Sequence, residues 1–201
     1  MNRPGVDLIL AESEALHDVA LRIQAGALRG PLMTLRCADT IWFTGIGKSG
    51  LVALRGASMV RTIGRKASFI DPVAAMHGEC GALTGYDAIV AFSHSGETKE
   101  LLEFLHWQSR IAVVGVCRPK SALAKRSRNV LPVDVEEEIP TVSCAVQNAW
   151  IDALVVVLTD NVEGTLQKTH PGGDIGRRLR ERIPTDAGEP HQDHGQEQRG
   201  T

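Results

Sequence analysis

Two glycine- and hydroxyl-rich loops constrain the fold of this chain more than any other feature of its sequence. The first spans residues 45–50 and reads Gly-Ile-Gly-Lys-Ser-Gly, and the second spans 93–98 and reads Ser-His-Ser-Gly-Glu-Thr. Each follows a short apolar run, at 40–44 and 88–92, and precedes a helix-like segment. At such a strand-to-helix junction, unpaired backbone N–H groups and the helix dipole favour an anion. The two loops therefore predict a ligand with phosphate at one end and carbonyl or hydroxyl chemistry at the other.

Strands, turns and helices alternate along most of the chain, after an amphipathic helix predicted in residues 6–27. The predicted strands are 40–44, 67–70, 87–92, 111–116 and 129–133, and the predicted later helices are 48–63, 97–108, 120–127 and 142–162. Short, nearly continuous apolar strands that alternate with helices are typical of a parallel sheet covered on both faces. We therefore predict an α/β fold.

The sequence predicts one domain, residues 6–183, followed by a disordered tail, 184–201, that has almost no apolar residues. A chain of 201 residues with 43% hydrophobic positions can bury one sizeable core. Within the domain, a break is predicted at Gly30 and Pro31. Residues 71–86 are predicted to form a long connection between strands, of the kind that often carries function.

Charge and hydropathy exclude several classes of partner. The formal net charge of −2 gives no electrostatic footprint for nucleic acid or an anionic membrane. No apolar run approaches the ~20 residues of a membrane span, and the first residues lack the pattern of a signal peptide, so we expect a cytoplasmic protein. The four cysteines are scattered, which disfavours a disulfide framework or a zinc site and fits a reducing compartment.

Nucleotide-binding motifs are near matches to the first loop. A P-loop requires a glycine at position 42, where this chain has Trp42, so the Walker interpretation fails. A dinucleotide-binding fold requires an acidic residue at the end of the second strand, and Asp71 lies roughly there. The first loop alone therefore does not exclude a dinucleotide-binding fold. The second loop disfavours it, because its hydroxyl-rich sequence has no role in dinucleotide binding.

Four motifs occur in a familiar order: the loops 45–50 and 93–98, His-Gly-Glu-Cys-Gly at 77–81, and His-Pro-Gly-Gly at 170–173. Together they resemble the sugar isomerase (SIS) domain of the arabinose-5-phosphate isomerase family, over roughly residues 6–182. The resemblance implies a three-layer sandwich in which the five predicted strands form one parallel sheet. It also implies a homotetramer that interconverts D-arabinose 5-phosphate and D-ribulose 5-phosphate in carbohydrate metabolism.

Such an isomerisation needs groups that move protons and stabilise an enediolate. A proton leaves the carbon next to the carbonyl and returns one carbon further along. The resemblance assigns these steps to Lys48, Glu100 and His170, and to one glutamate of the run 136–138, of which Glu137 is the marginal choice. His170 precedes a proline, which disfavours a continuing helix, and the resemblance implies that it reaches the site of a neighbouring subunit. Because side chains suffice for these steps, no metal and no cofactor are predicted.

The predicted substrate-binding residues lie in the same motifs; they are Ser49, His77, Ser93, Ser95 and Thr98. The hydroxyls occupy turn and helix-cap positions, where plain capping is the alternative role. His77 is expected to orient sugar hydroxyls, with a loop histidine of no function as the alternative. His94, where the family commonly has another residue, is interpreted as incidental.

The sequence also departs from the family pattern. Family members usually carry a pair of CBS modules after the SIS domain, where this sequence has the polar tail, and Glu79 replaces the usual aspartate. The segment around the glutamate run is shorter and poorer in hydroxyl side chains. Two alternative functions stay open: a non-catalytic SIS module that senses a sugar phosphate, and a 6-phospho-3-hexuloisomerase, which the His-Pro-Gly-Gly motif disfavours.

Overall fold

The structure, a computed structural model, describes residues 3–159 and 162–182. The predicted tail, 184–201, and the last residue of the predicted domain lie outside these ranges. The strands are β1 (Ile41–Gly45), β2 (Ala67–Phe69), β3 (Ala88–Ser93), β4 (Ala112–Cys117) and β5 (Asn129–Pro132). The helices are α1 (Arg3–Gln24), α2 (Arg29–Arg36), α3 (Gly47–Thr62), α4 (Pro72–Met76), α5 (Lys99–Trp107), α6 (Ala122–Arg126), α7 (Val142–Leu158), α8 (Val162–Thr169) and α9 (Asp174–Arg182), with a 3₁₀ helix at Glu79–Ala82.

The five strands form one parallel sheet in the order β2-β1-β3-β4-β5. Phe43 pairs with Phe69 on one side and with Val90 on the other, and Val90 in turn pairs with Val114. All six residues of β3 are buried, as a parallel strand covered on both faces requires. The predicted three-layer α/β sandwich is confirmed, and each strand lies within two residues of its predicted bounds.

Each face of the sheet has its own core. One core contains Phe43 and Val90 of the sheet with Trp150 of α7, and it is covered by α1, α2, α3 and α7. The other core contains Ile89 of the sheet with Phe104 of α5, and it is covered by α4, α5 and α6. Neighbouring residues of β3 thus point to opposite faces, as strand geometry requires.

The structure differs from the sequence prediction in short helices. Residues 29–36 form a helix despite the predicted break, because Pro31 lies in the first turn, where a missing N–H breaks no helical hydrogen bond. The predicted loop 71–86 contains α4 and the 3₁₀ helix, since Asp71 caps a helix that begins with Pro72. Within the residues described, no helix combines the length and the apolar character needed to cross a bilayer.

The strand order reverses between β1 and β3, and this reversal locates a crevice. From β1 the chain turns outward to β2, whereas from β3 it proceeds outward to β4 and β5. The helices that follow the two central strands, α3 and α5, therefore pack on opposite faces of the sheet. In open α/β sheets, ligands bind outside the carboxyl ends of the strands at such a switch point. The two loops singled out in the sequence lie there.

Candidate active site

The helices that follow β1 and β3 begin without a side-chain cap. Ile46, before α3, has no side-chain acceptor, and the hydroxyl of Thr98, before α5, makes no capping hydrogen bond. No side chain among the described residues accepts a hydrogen bond from the N–H groups of residues 47–49 or 99–101. The first N–H groups of a helix have no partner inside the helix, so both sets of donors are open to an anion.

The first loop brings the end of β1 against the start of α3. A Cβ atom on Gly50 would lie 2.7 Å from the carbonyl oxygen of Gly45, so only glycine allows this approach. Gly47 makes the turn with a φ of +61°. Lys48 follows in the first turn of α3, where its exposed ammonium group forms no hydrogen bond or ion pair within the described ranges. A cation without a partner therefore lies beside the open N–H groups of α3.

A buried amide holds Ser49. Gln147 of α7 is fully buried, and its Nε2 donates to Ser49 Oγ over 3.1 Å. Because Ser49 Oγ is the acceptor in this bond, its own proton remains available to a ligand. Gln147 Oε1 is buried and accepts no hydrogen bond from the described part of the chain, so it can take one from a hydroxyl. Sequence reasoning missed Gln147, although a glutamine inside a mostly apolar helix was the signal for it.

The second loop is organised by its own hydroxyl groups. Ser93 Oγ is buried, accepts from the N–H of Gly96 over 3.0 Å and lies 2.9 Å from Thr98 Oγ1. One of the Ser93 and Thr98 hydroxyl protons is used between them, which leaves the other for a ligand. Gly96 has a φ of +70°, and a Cβ atom there would lie 2.0 Å from Ser121 Oγ. Ser95 is exposed, and its Oγ accepts a backbone hydrogen bond within the loop over 3.2 Å.

Ser93 therefore shapes the second loop, whereas Ser95 and Thr98 present hydroxyl groups at its surface.

The glutamate run contributes one buried carboxylate. The side chain of Glu137 is only 8% exposed, whereas that of Glu136 is 89% exposed and Glu138 is also exposed. Glu137 Oε2 accepts hydrogen bonds from the backbone N–H groups of Thr141, over 3.0 Å, and Ser143, over 3.1 Å. The other oxygen, Oε1, is buried and has no hydrogen-bond partner in the described part of the chain. Of the three glutamates, Glu137 has the burial and the free acceptor expected of a proton-transfer group.

Lys48 and Glu137 both act electrostatically on the thiol of Cys144. Burial raises the pKa of the Cys144 thiol above its usual value, and the Glu137 carboxylate raises it further. A hydrogen bond with Ser143 and the positive charge of Lys48 act on it in the opposite direction. A cation at the beginning of α3 and a carboxylate just before α7 are thus both within electrostatic range of one thiol.

Two predicted residues lie in exposed positions near element ends. Glu100 is in the first turn of α5, two residues after Thr98, and is exposed. His77 is the C-terminal cap of α4 and is also exposed.

His170 is the predicted residue that one chain does not bring to the loops. It follows α8, and its Nδ1 lies 3.1 Å from Thr169 Oγ1 and 3.2 Å from the carbonyl oxygen of Leu166. Thr169 Oγ1 donates to the carbonyl oxygen of Thr62, the last residue of α3, over 2.8 Å. The 16 residues of α3 span about 24 Å. His170 therefore lies at the far end of α3 from Lys48.

The described residues contain no group of three or more His, Cys, Asp or Glu side chains that could hold a metal ion.

Comparison with protein families decides the family of this chain. The SIS domain model matches residues 34–157, more than half of the sequence. The chain belongs to the SIS domain family. Two arabinose 5-phosphate isomerases are similar to it. KpsF of Escherichia coli is 30% identical over 86% of this chain and 57% of the relative. KdsD of Yersinia pestis is 30% identical over 90% of this chain and 61% of the relative. The chain thus spans somewhat more than half the length of these relatives.

Solved SIS structures share the fold. A candidate sugar-phosphate isomerase from Listeria monocytogenes superposes with a TM-score of 0.72 at 25% identity, over 86% of this chain and 99% of that one. The NanR protein of Vibrio vulnificus, in complex with ManNAc-6P, superposes with a TM-score of 0.72 at 24% identity, over 85% of this chain and 69% of that one. The SIS fold therefore occurs in an isomerase candidate and in a protein that binds a sugar phosphate.

Proposed function

We propose that this SIS domain is an aldose–ketose isomerase that interconverts D-arabinose 5-phosphate and D-ribulose 5-phosphate. One arrangement carries the proposal: Lys48, which has no partner among the described residues, and Glu137, a buried carboxylate with a free oxygen, both act electrostatically on the Cys144 thiol, beside two uncapped helix starts. A sugar-phosphate binding site needs only the helix starts. A cation and a buried carboxylate are the further groups that an enediolate reaction requires.

The phosphate group binds at the starts of α3 and α5. Their open N–H groups, the free hydroxyl protons of Ser49 and Ser95, and the one proton that the Ser93–Thr98 pair leaves free supply donors for its oxygens. This binding places the carbonyl end of the sugar toward Lys48 and the beginning of α7. His77 lies at the exposed end of α4, from which it can orient sugar hydroxyls.

The carboxylates move the proton between the two carbons. Glu137 accepts the proton from C2 of the aldose, and the electron pair of that C–H bond passes into the enediolate. Lys48 stabilises the negative charge on the enediolate oxygen. The carboxylic acid then returns the proton to C1, while a second proton moves from O2 to O1. Glu100, at the start of α5, is the second carboxylate available for that step.

The active site is completed by a second copy of the chain. His170 lies about the length of α3 away from Lys48 in its own chain, so a neighbouring subunit supplies it as the acid/base group. The exposed face of α1 supports assembly: Val6, Ile9 and Leu10 are each about 60% exposed, and Val19 is the one residue described as buried in this 22-residue helix. A homotetramer with shared sites follows the family pattern.

A non-catalytic sugar-phosphate sensor is the second candidate. One observation favours it: Glu137 Oε2 accepts two backbone hydrogen bonds at the start of α7, which is a structural role. In a sensor, the phosphate cradle would function without proton transfer, and Lys48 would only contribute to anion binding.

Proton exchange distinguishes the two candidates. The purified protein is mixed in deuterium oxide with ribulose 5-phosphate, arabinose 5-phosphate or a hexulose 6-phosphate, and the sugars are followed by NMR. The isomerase proposal predicts deuterium at C1 of the ketose or C2 of the aldose, together with interconversion of the two pentose phosphates and a much slower reaction in Lys48→Ala. Binding without deuterium incorporation would instead identify a sensor, and turnover of the hexulose alone would identify a hexuloisomerase.

A further inference from the structure

We propose that His94 and Glu137 hold one proton between them, so that His94 controls the proton that Glu137 exchanges with the substrate. The proposal rests on the proposed isomerase function for its role in turnover, but the proton pair itself is a property of the free chain. His94 acts through Glu137 and is therefore a positioning residue.

The carbonyl group of Val135 fixes the orientation and tautomer of His94. His94 Nε2 lies 2.9 Å from this oxygen. A carbonyl oxygen offers only lone pairs, so Nε2 must carry a hydrogen and donate it. In the neutral ring, the other nitrogen, Nδ1, then has a lone pair and no hydrogen.

That lone pair faces a buried oxygen that also lacks a hydrogen. His94 Nδ1 lies 3.7 Å from Glu137 Oε1, slightly longer than a hydrogen bond. Glu137 Oε1 is buried and has no partner among the described residues. Two acceptors thus face each other, and a single proton placed between them satisfies both.

Glu137 is not free to turn away from the histidine. Its Oε2 accepts from the N–H groups of Thr141 and Ser143 at the start of α7, and these two bonds fix the plane of the carboxylate. Rotation would leave two backbone donors unpaired, which is unfavourable for buried groups. The geometry therefore keeps Oε1 directed at His94.

Other titratable or charged groups lie on the elements that pack near the pair. They are Glu97 of the second loop, Arg118 after β4, Glu136 after β5, Cys144 of α7 and Lys48 of α3. Arg118 donates to the carbonyl of Val135 over 3.0 Å and pairs with Glu136 over 3.1 Å. Glu97 accepts from the N–H of Ala122, at the start of α6. Arg118 and Glu97 thus each have a partner of their own, which leaves Glu137 as the carboxylate that contacts the histidine ring.

The shared proton makes His94 a second proton acceptor in the reaction, beside Glu137. When Glu137 takes the proton from C2 of the aldose, the C–H bond breaks, its electron pair stays on the sugar, and an O–H bond forms at the carboxylate. The proton already held by the pair then resides on His94. Returning one proton from Glu137 to C1 restores the starting state, so protons balance over the cycle.

An NMR titration of histidine ring nitrogens tests the pair without turnover. The full chain is labelled with ¹⁵N in its seven histidines, and His94 is assigned from the signal missing in His94→Gln. We expect hydrogen on Nε2 in the neutral ring. The titration midpoint of His94 should move to lower pH in Glu137→Gln, because the carboxylate that favours the imidazolium is lost. Glu136→Gln removes the same charge at an exposed position and should leave the midpoint unchanged.

A neutral His94 ring with its hydrogen on Nδ1 and none on Nε2 in the wild-type protein would overturn the proposal, and this result requires no variant to fold. Equal midpoints in Glu137→Gln and the wild type would also overturn it.

Kinetics test the role in turnover separately. His94→Gln should lower kcat by about 10- to 100-fold, the range for residues that act through another side chain at a site. It should flatten the pH profile of kcat and leave KM nearly unchanged, whereas His106→Gln, on the exposed surface of α5, should change neither. An unchanged pH profile in His94→Gln would overturn the role in turnover. If no sugar phosphate is isomerised at all, the proposed function fails, while the titration still decides whether the pair exists.

Discussion

The five helices that follow the strands begin in two different ways. After β2, β4 and β5, side chains accept hydrogen bonds from the first N–H groups. Asp71 caps α4 over 2.8 and 3.0 Å, Ser121 caps α6 over 3.2 Å, and Glu137 caps α7 over 3.0 and 3.1 Å. After β1 and β3, α3 and α5 have no such cap.

The difference separates the helix starts that the chain caps from the two that we propose to bind the ligand. A side-chain cap stabilises a protein by roughly 1 kcal/mol, so each uncapped start forgoes that stabilisation. The two uncapped starts are those at the switch point of the sheet, where an anion can take the place of the missing cap. On the proposed function, the starts of α3 and α5 are left to the ligand, whereas the chain itself satisfies the first N–H groups of α4, α6 and α7.

The largest expected effects are on turnover, at the start of α3. Lys48→Ala should lower kcat by about 10²-fold or more, because the charge that stabilises the enediolate is lost. Folding should be unchanged, since Lys48 is exposed and has no partner within the described residues. The matched control is Lys66→Ala, an exposed lysine just before β2 at the opposite edge of the sheet. Equal losses of kcat in Lys48→Ala and Lys66→Ala would contradict a special role for the edge of the sheet where Lys48 lies.

His170→Ala should also lower kcat by about 10²-fold or more and leave sugar-phosphate binding intact. Mixing inactive His170→Ala subunits with inactive Lys48→Ala subunits should restore activity, because some mixed interfaces combine one intact Lys48 with one intact His170. Activity assays before and after subunit exchange measure this. An active monomer, or no rescue in mixed oligomers that mass spectrometry verifies, would contradict a shared site.

Substrate affinity should depend on the hydroxyls at the start of α5. Ser95→Ala combined with Thr98→Ala removes two donors to a charged phosphate, each worth about 1.5–3 kcal/mol. We expect binding of ribulose 5-phosphate, measured by calorimetry, to weaken by about 10²-fold or more, with little change in stability. Ser93→Ala should instead destabilise the fold, because the buried Ser93 hydroxyl accepts the Gly96 N–H. Unchanged affinity in the double variant would contradict the cradle.

The capped helix starts should show the opposite pattern. Asp71→Ala removes the acceptor for two N–H groups of α4 and should lower the free energy of unfolding by about 1 kcal/mol. Affinity for the sugar phosphate should stay within about twofold of the wild type, because α4 does not begin at the crevice. Denaturant unfolding and calorimetry on the same sample measure both quantities. A large loss of affinity in Asp71→Ala would erase the distinction between the two kinds of helix start.

The smallest effect concerns the reactivity of Cys144. Glu137→Gln removes a charge that raises the pKa of the Cys144 thiol, so the thiolate fraction and the rate of alkylation should rise. Lys48→Met removes a charge that lowers this pKa, so alkylation should slow. Each change should stay below about tenfold, which corresponds to one unit of pKa.

Peptide mass spectrometry after timed iodoacetamide treatment separates Cys144 from the other three cysteines. Glu136→Gln is the control, because this neighbouring carboxylate is exposed. Changes in the same direction for Glu137→Gln and Lys48→Met would show that these charges do not border Cys144.

The sheet and both loops could be predicted from the sequence because their signals are local. A buried parallel strand is a continuous apolar run, and the glycines at 45–50 and 96 are required by close backbone approach and positive φ. The helix predicted at 97–108 begins instead at Lys99, since residues 93–98 use their own hydroxyls to form the loop. Residues 29–36 were missed because a proline in the first helical turn is indistinguishable from a break in a single sequence.

The candidate site was less predictable because its contacts are long-range. Gln147 bonds Ser49 across 98 residues, and His94 meets Val135 across 41 residues. His94 was interpreted as incidental, since nothing near it in sequence indicates that the chain after β5 returns to it. The burial of Glu137 among three adjacent glutamates likewise depends on how the chain enters α7. The separation of His170 from Lys48 depends on the length and packing of α3.

The central claim, that the uncapped starts of α3 and α5 bind the phosphate, is tested most directly by backbone amide NMR. Ribulose 5-phosphate is titrated into the ¹⁵N-labelled chain, and shifts of the N–H signals are compared among helix starts. The largest shifts should occur at residues 47–50 and 96–101, with little change at 73–75 and 122–124. The account would be contradicted by shifts concentrated at the opposite edge of the sheet, where Arg110, Arg128 and Asn129 line a cavity of about 510 Å³.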